Sequence, residues 1–106
     1  MTKRVQPVLK RRQLQFGKYL DISTGHMAKH DLELLKEDDG PLTVYPYAEG
    51  YWVHVSVGIK NEAVLRKLGF SEGFAKVYLA AVLAKCWFIR FDCDGYTYER
   101  FPTYEW

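Results

Sequence analysis

The sequence predicts a small α+β domain, and three observations support that class. Strand and helix patterns alternate along the chain in the order strand, helix, strand, strand, helix, strand. Glu49-Gly50 has the character of a tight turn between the two middle strands. The chain has 106 residues, 48% of them hydrophobic, which suffices for one core but not for a second independent one. We expect one folded domain over residues 16–106, preceded by a basic arm over residues 1–15.

The amino-terminal half opens with a strand and a helix. Residues 16–22 form the predicted strand because tyrosine, leucine and isoleucine cluster there. The hydroxyls of Ser23 and Thr24 suit the free amides at a helix start. A helix is predicted over residues 30–37, and Gly40 and the proline after it end that helix.

The hairpin is predicted to pair residues 43–48 with residues 51–57, with Ala48 opposite Tyr51. Side chains of opposite character then separate onto the two faces of the hairpin. The aliphatic face carries Val44, Pro46, Val53 and Val55, and the aromatic face carries Tyr45, Tyr47, Trp52 and His54. We expect the aliphatic face to enter the core. Because Pro46 lacks an amide donor, its strand is predicted to lie at the sheet edge or to carry a bulge.

The carboxyl-terminal half is predicted to contain two helices and a strong strand. The helices span residues 61–68 and 71–85, with Asn61 and Ser71 as their N-caps. The strand spans residues 87–92, and a turn leads into a short returning strand over residues 96–99. The order of elements matches the split βαβ arrangement of ferredoxin-like domains with an appended turn and strand. The aromatic terminus is expected to pack back onto the domain.

Charge and aromatic content indicate a binding protein. Aromatic residues make up 16% of the chain, and surface rings are commonly contact residues. The cations that precede the first acid are Lys3, Arg4, Lys10, Arg11, Arg12 and Lys18. One interpretation is an RNA or single-stranded DNA module, in which the aromatic face stacks on bases and the arm contacts phosphates. From residue 19 onward, however, nine Lys or Arg stand against thirteen Asp or Glu, a net charge of −4, and this acidic body disfavours nucleic acid.

Histidine is the weak candidate for catalysis or metal binding. His26 follows a strand end, near Ser23, at a position expected to face solvent. A nucleophilic site also needs an orienting group and an oxyanion hole, and the sequence supplies no pattern for either. His26 and His30 are spaced to share a helix face, but no third ligand follows at a recognisable spacing. We therefore expect neither a metal nor another cofactor, and a small His26-dependent enzyme is the second alternative.

The cellular setting is expected to be the cytoplasm. Two cysteines, Cys86 and Cys93, are typical of a reduced intracellular protein more than of a disulfide scaffold. No apolar run has the length of a signal peptide or of a membrane span.

Four short motifs point to a family. They are Leu20-Asp21-Ile22-Ser23-Thr24-Gly25-His26, Tyr51-Trp52-Val53-His54-Val55, Gly69-Phe70-Ser71-Glu72 and Arg90-Phe91-Asp92-Cys93-Asp94-Gly95. Over residues 19–106 the chain resembles the DUF5983 group of small bacterial proteins. The resemblance implies a gene carried on mobile elements and an accessory role, with no reaction to carry over.

That context favours a non-enzymatic protein that binds a host complex, such as a CRISPR effector or a restriction enzyme, and inhibits it. The predicted contact surface combines the aromatic face with an acidic patch. The patch consists of Asp31, Glu33, Glu37, Asp38 and Asp39. The other interpretation of these five acids is an ordinary solvated helix face.

Overall fold

The computed structural model describes residues 14–37 and 39–106, and it confirms the α+β class. The elements are β1 (Tyr19–Ser23), α1 (Lys29–Leu35), β2 (Val44–Tyr47), β3 (Gly50–His54), α2 (Glu62–Lys67), α3 (Glu72–Leu83) and β4 (Phe88–Asp92). A 3-10 turn, Thr24–His26, follows β1. The predicted basic arm lies almost entirely outside the described residues. No helix among the described residues combines the length and apolar character needed to cross a membrane.

The four strands form one mixed sheet in the order β1-β4-β3-β2. β1 pairs with β4 in parallel, and the other two pairings are antiparallel. The ferredoxin-like arrangement is therefore wrong, since it would place β1 inside the sheet. Here β1 is an edge strand, and at its carboxyl end the Ser23 N–H donates to the Tyr96 carbonyl of the terminal segment at 2.8 Å. β4 lies between β1 and β3.

The hairpin has its predicted faces but not its predicted turn. Tyr47 pairs with Gly50, so the connecting residues are Ala48 and Glu49, and Tyr51 lies opposite Pro46 and not Ala48. The register differs from the predicted one by two residues, which leaves every side chain on its expected face. Gly50 belongs to the strand because a Cβ there would overlap the Phe91 carbonyl of β4. β2 lies at the sheet edge, as Pro46 requires.

The core lies between one face of the sheet and the helices. Its fully buried strand residues include Ile22, Val53, Ile89 and Phe91, which pack with buried residues of the helices in one cluster. Phe74 of α3 stacks on Phe91 with ring centroids 5.6 Å apart. The N-caps Asn61 and Ser71 are confirmed, since each side chain accepts a hydrogen bond from the first turn of its helix. The opposite face of the sheet carries no helix of the described chain.

The terminal segment departs from the prediction of a returning strand. Residues 93–106 contain neither a strand nor a helix. They instead follow the side of the domain in extended and turn conformations, and Phe101 enters the core at 8% exposure. The Trp106 indole N–H donates to the Met27 carbonyl at 3.0 Å. The expectation that the aromatic terminus packs back is confirmed.

Candidate partner-binding face

The uncovered side of the sheet presents aromatic side chains from all four strands. Strand register places them in rows: Tyr19, Phe88 and His54 face one another in one row, and Asp21, Arg90, Trp52 and Tyr45 in the next. We call this surface the aromatic face and define it as Tyr19, Tyr45, Tyr47, Trp52, His54, Phe88 and Arg90. Tyr45 is 55% exposed and Tyr19 47% exposed, although large rings are usually buried more completely.

Trp52 stands at the centre of the aromatic face. Its ring meets Tyr19 edge-on at a centroid distance of 4.8 Å and Phe88 at 5.9 Å. Phe88 in turn contacts His54 at 5.3 Å and Tyr45 at 6.2 Å. Edge-to-face geometry of this kind is the favoured arrangement of aromatic pairs. The rings therefore support one another and form a continuous, pre-organised apolar surface.

Arg90 is the one arginine of the aromatic face, and its charge is already engaged. Its guanidinium donates to the Asp21 carboxylate through Nη2 at 2.9 Å and through Nε at 3.3 Å. The same group lies 5.5 Å from the Tyr19 centroid and 5.8 Å from the Trp52 centroid, within the range of cation–π attraction. The hydrogen bond to Asp21 raises the pKa of Arg90, so this cation stays charged.

Acidic residues border the aromatic face where β4 ends and β3 begins. The Tyr47 hydroxyl donates to Asp92 Oδ2 at 2.5 Å, and the Asp94 N–H donates to Asp92 Oδ1 at 2.8 Å. The hydrogen bond from Tyr47 makes the largest contribution to a lowered pKa of Asp92, and the bond from the Asp94 N–H lowers that pKa further. Partial desolvation raises the pKa of the Cys93 thiol, and the negative charges of Asp94, Asp92 and Glu49 raise it further. The local field is therefore negative.

The aromatic face lies within a segment that matches a known family model. Residues 19–106 match the model of the C-terminal domain of DUF5983, a family of unknown function. The chain belongs to the DUF5983 family. No curated protein and no solved structure matches it. The matched segment of this DUF5983 chain includes every strand of the sheet, whereas the basic arm precedes it.

In this DUF5983 domain, His26 is buried and not presented to solvent as expected. Its side chain has no exposed surface. Nδ1 lies 2.7 Å from the Pro102 carbonyl, which can only accept, and Nε2 accepts from the Tyr98 N–H at 2.9 Å. These partners define a neutral imidazole with its proton on Nδ1. Both nitrogens therefore hold the terminal segment against the domain, and the geometry gives His26 a structural role.

Asp31 lies in the interior of the DUF5983 domain and not in an acidic surface patch. It is fully buried and accepts from the Ala28 N–H at 2.7 Å, the Ser71 N–H at 2.7 Å and the Ser71 hydroxyl at 2.6 Å. Its carboxylate thus binds the amide that precedes α1 and links the amino-terminal end of α1 to that of α3. The predicted cap at Ser23 instead serves the 3-10 turn, where its hydroxyl accepts from the Gly25 N–H.

The other predicted acids are divided between two places. Glu33 is exposed on α1. Glu37 and Asp39 line an open groove of about 700 Å³ beside β2, together with Lys36 and Tyr51. Asp38 and the arm cations Lys3, Arg4, Lys10, Arg11 and Arg12 lie outside the described residues. Because Asp31 is buried, the predicted acids that the structure describes do not form one surface.

Two groups of candidates remain, the predicted aromatic residues and residues that the sequence analysis missed. Tyr45, Tyr47, Trp52 and His54 do share a face as predicted. Tyr19, Phe88 and Arg90 join them and were missed. A period-two pattern in β4 places Phe88 and Arg90 on the face opposite Ile89 and Phe91, and that signal is present in the sequence. The sequence carries no comparable signal for which strands are neighbours in the sheet.

Cysteine and acidic side chains also meet in the turn after β4. One ligand atom each from Asp92, Cys93 and Asp94 falls within a 4.8 Å cluster. Both carboxylate oxygens of Asp92 already accept protein hydrogen bonds. The geometry is that of an acidic turn whose Asp92 carboxylate is held by the Asp94 N–H and the Tyr47 hydroxyl. Cys86 and Cys93 are both free thiols.

Proposed function

We propose that this protein is a small, non-enzymatic binding module of the cytoplasm that docks a protein partner on its aromatic face. The observation that carries the proposal is the sheet itself: one side is buried under helices, and the other exposes mutually packed rings. Tyrosine, tryptophan and arginine are the residues that dominate the energetics of protein interfaces. A rigid platform of such residues loses little conformational entropy when it binds.

The charges of the aromatic face favour a protein partner over a nucleic acid. The guanidinium of Arg90 is neutralised by Asp21, and Asp92 adds a carboxylate at the border. A phosphate backbone gains its affinity by pairing with available cations. The alternative function, an RNA or single-stranded DNA module, would rely on stacking by the rings and on Lys18 with the cations of the basic arm.

The proposed partner is a host defence complex, such as a CRISPR effector or a restriction enzyme, which the protein inhibits by occupying one of its surfaces. The support for this step is the mobile-element setting that resemblance to DUF5983 implies. Genes of such elements benefit from blocking host defence. A module without a catalytic constellation among its described residues can inhibit by occupancy alone.

The deciding experiment is a pulldown from a bacterial host lysate, with and without nuclease, using matched variants. Tyr45→Ser removes an exposed ring from the aromatic face, whereas Tyr96→Ser removes a ring of similar exposure, 67% against 55%, from the terminal segment. We expect wild type and Tyr96→Ser to capture a protein complex that survives nuclease, and Tyr45→Ser to lose most of it. Capture of nucleic acid alone would favour the alternative function. Equal capture by all three proteins would exclude the aromatic face as the docking surface.

A further inference from the structure

The aromatic face already binds one guanidinium, that of Arg90, and it does so with two kinds of group. Rings of Tyr19 and Trp52 lie 5.5 and 5.8 Å from the cation, and the Asp21 carboxylate accepts two hydrogen bonds. Bidentate pairing and stacking on rings are the two interactions that suit the planar arginine fork. Arg90 therefore shows which ligand chemistry this surface accommodates.

The same two kinds of group recur toward the β2 edge of the face, where they have no arginine of their own. Tyr47 supplies the ring: it lies opposite Gly50, which pairs with Asp92, and its hydroxyl donates to the Asp92 carboxylate. A carboxylate oxygen of Asp94 lies within 4.8 Å of one of Asp92, so it belongs to the same border. Glu49 and Asp94 supply carboxylates that form no ion pair with any described residue. Both of these acids are exposed, and their charges act on the neighbouring Cys93 thiol.

We propose that the partner docked on the aromatic face presents an arginine-bearing segment, whose guanidinium lies over Tyr47 and pairs with Glu49 or Asp94. The inference rests on the proposed function and names the chemistry of the partner. Arginine is selected over lysine because its fork can stack on a ring and pair with a carboxylate at once. An acidic segment or a phosphate backbone meets only like charge at this border.

A peptide-binding experiment tests this chemistry directly. The probes are fluorescein-labelled nona-arginine, nona-lysine and nona-glutamate, titrated with full-length protein at physiological ionic strength. The charge-reversed variant Glu49→Lys/Asp94→Lys removes the proposed pairing. Its matched control, Glu33→Lys/Glu105→Lys, changes the net charge equally at two exposed positions on other elements. We expect nona-arginine to bind most tightly, and the first variant to weaken it about tenfold while the control weakens it less than about threefold.

Ring removal and charge neutralisation keep the result interpretable. Tyr47→Leu, which removes the ring and keeps an apolar side chain, should weaken nona-arginine binding by a similar factor. The neutral pair Glu49→Gln/Asp94→Asn should do the same if the reversed pair fails to fold. Equal weakening by both charge-reversed variants would mean that net charge alone attracts the peptide, and the inference would fail. It would also fail if nona-lysine bound as tightly as nona-arginine. In the lysate experiment, full capture by Glu49→Lys/Asp94→Lys but not by Tyr45→Ser would overturn this inference and leave the proposed function intact.

Discussion

Replacement of Asp31 by alanine is the sharpest test of the fold, because its carboxylate is fully buried and accepts three hydrogen bonds. Hydrogen bonds to a charged group contribute about 1.5 to 3 kcal/mol each, and buried donors left without a partner cost about 1 to 3 kcal/mol. Partial relaxation and water entry reduce the sum. We expect Asp31→Ala to lower the free energy of unfolding by about 3 to 5 kcal/mol, as for other broken buried charge networks.

Urea unfolding followed by tryptophan fluorescence and circular dichroism measures this loss. With a dependence on urea of about 1 to 3 kcal/mol per molar, the midpoint should fall by roughly 1 to 5 M. Glu33→Ala is the matched control, since Glu33 is exposed on the same helix, and its effect should stay within about 0.5 kcal/mol. If Asp31→Ala and Glu33→Ala differ by less than about 1 kcal/mol, Asp31 is not the buried link between α1 and α3.

A double-mutant cycle checks that Asp31 acts through Ser71. Ser71→Ala removes the hydroxyl that donates to Asp31 and also caps α3 through the Phe74 N–H. Its own cost should be about 1 to 2 kcal/mol. Because the two residues share one network, the double variant should lose less stability than the two single variants together. Strict additivity would contradict the contact.

Three further outcomes follow from other contacts. His26→Ala should lower the free energy of unfolding by about 2 kcal/mol, since it removes a fully buried ring and leaves two half-buried backbone groups of the terminal segment without their partner. Thermal unfolding measures this loss, and a change below about 0.5 kcal/mol would contradict the buried geometry. Tyr47→Phe should raise the pKa of Asp92 toward its ordinary value of 3.8, as measured by NMR titration of that carboxyl group. The pKa of Asp92 is lower in the folded state than in the unfolded chain. The stabilisation from its hydrogen bond with Tyr47 is therefore fully present when the pH is above the ordinary pKa of Asp92, and it is lost as the pH falls through the folded-state pKa. Wild type should consequently lose more stability on acidification than Tyr47→Phe. Gly50→Ala should destabilise the domain by about 2 kcal/mol or more, since its Cβ overlaps the Phe91 carbonyl, and urea unfolding near wild-type values would refute the close approach.

Local patterns predicted the elements of this domain well, because short-range chemistry decides them. The caps Asn61 and Ser71 accept hydrogen bonds from amides three residues away, so the relevant atoms are neighbours in the chain. Period-two alternation put Tyr45 and Trp52 on one face, and a two-residue error in register did not alter that result. The position of Pro46 likewise followed from its missing amide donor.

Contacts between distant segments were not predictable in the same way. Asp31 and Ser71 are 40 residues apart, and nothing near Asp31 in the sequence distinguishes it from the solvated Glu33. His26 contacts Pro102 across 76 residues, so its burial depends on where the terminal segment runs. Whether a charged or polar side chain has a structural role or is available for binding therefore depends on the distant residues that contact it.

The sequence by itself determined the class of fold, the helix caps and the two-faced character of the hairpin, since each depends on residues close together in the chain. The tertiary structure decided that β4 lies between β1 and β3. That placement brings Phe88 and Arg90 beside Trp52 and Tyr19 and turns a predicted aromatic strand pair into a continuous surface. The physical reason is that strand order depends on pairing between segments far apart in the chain, here β1 with β4, and local patterns do not specify that pairing.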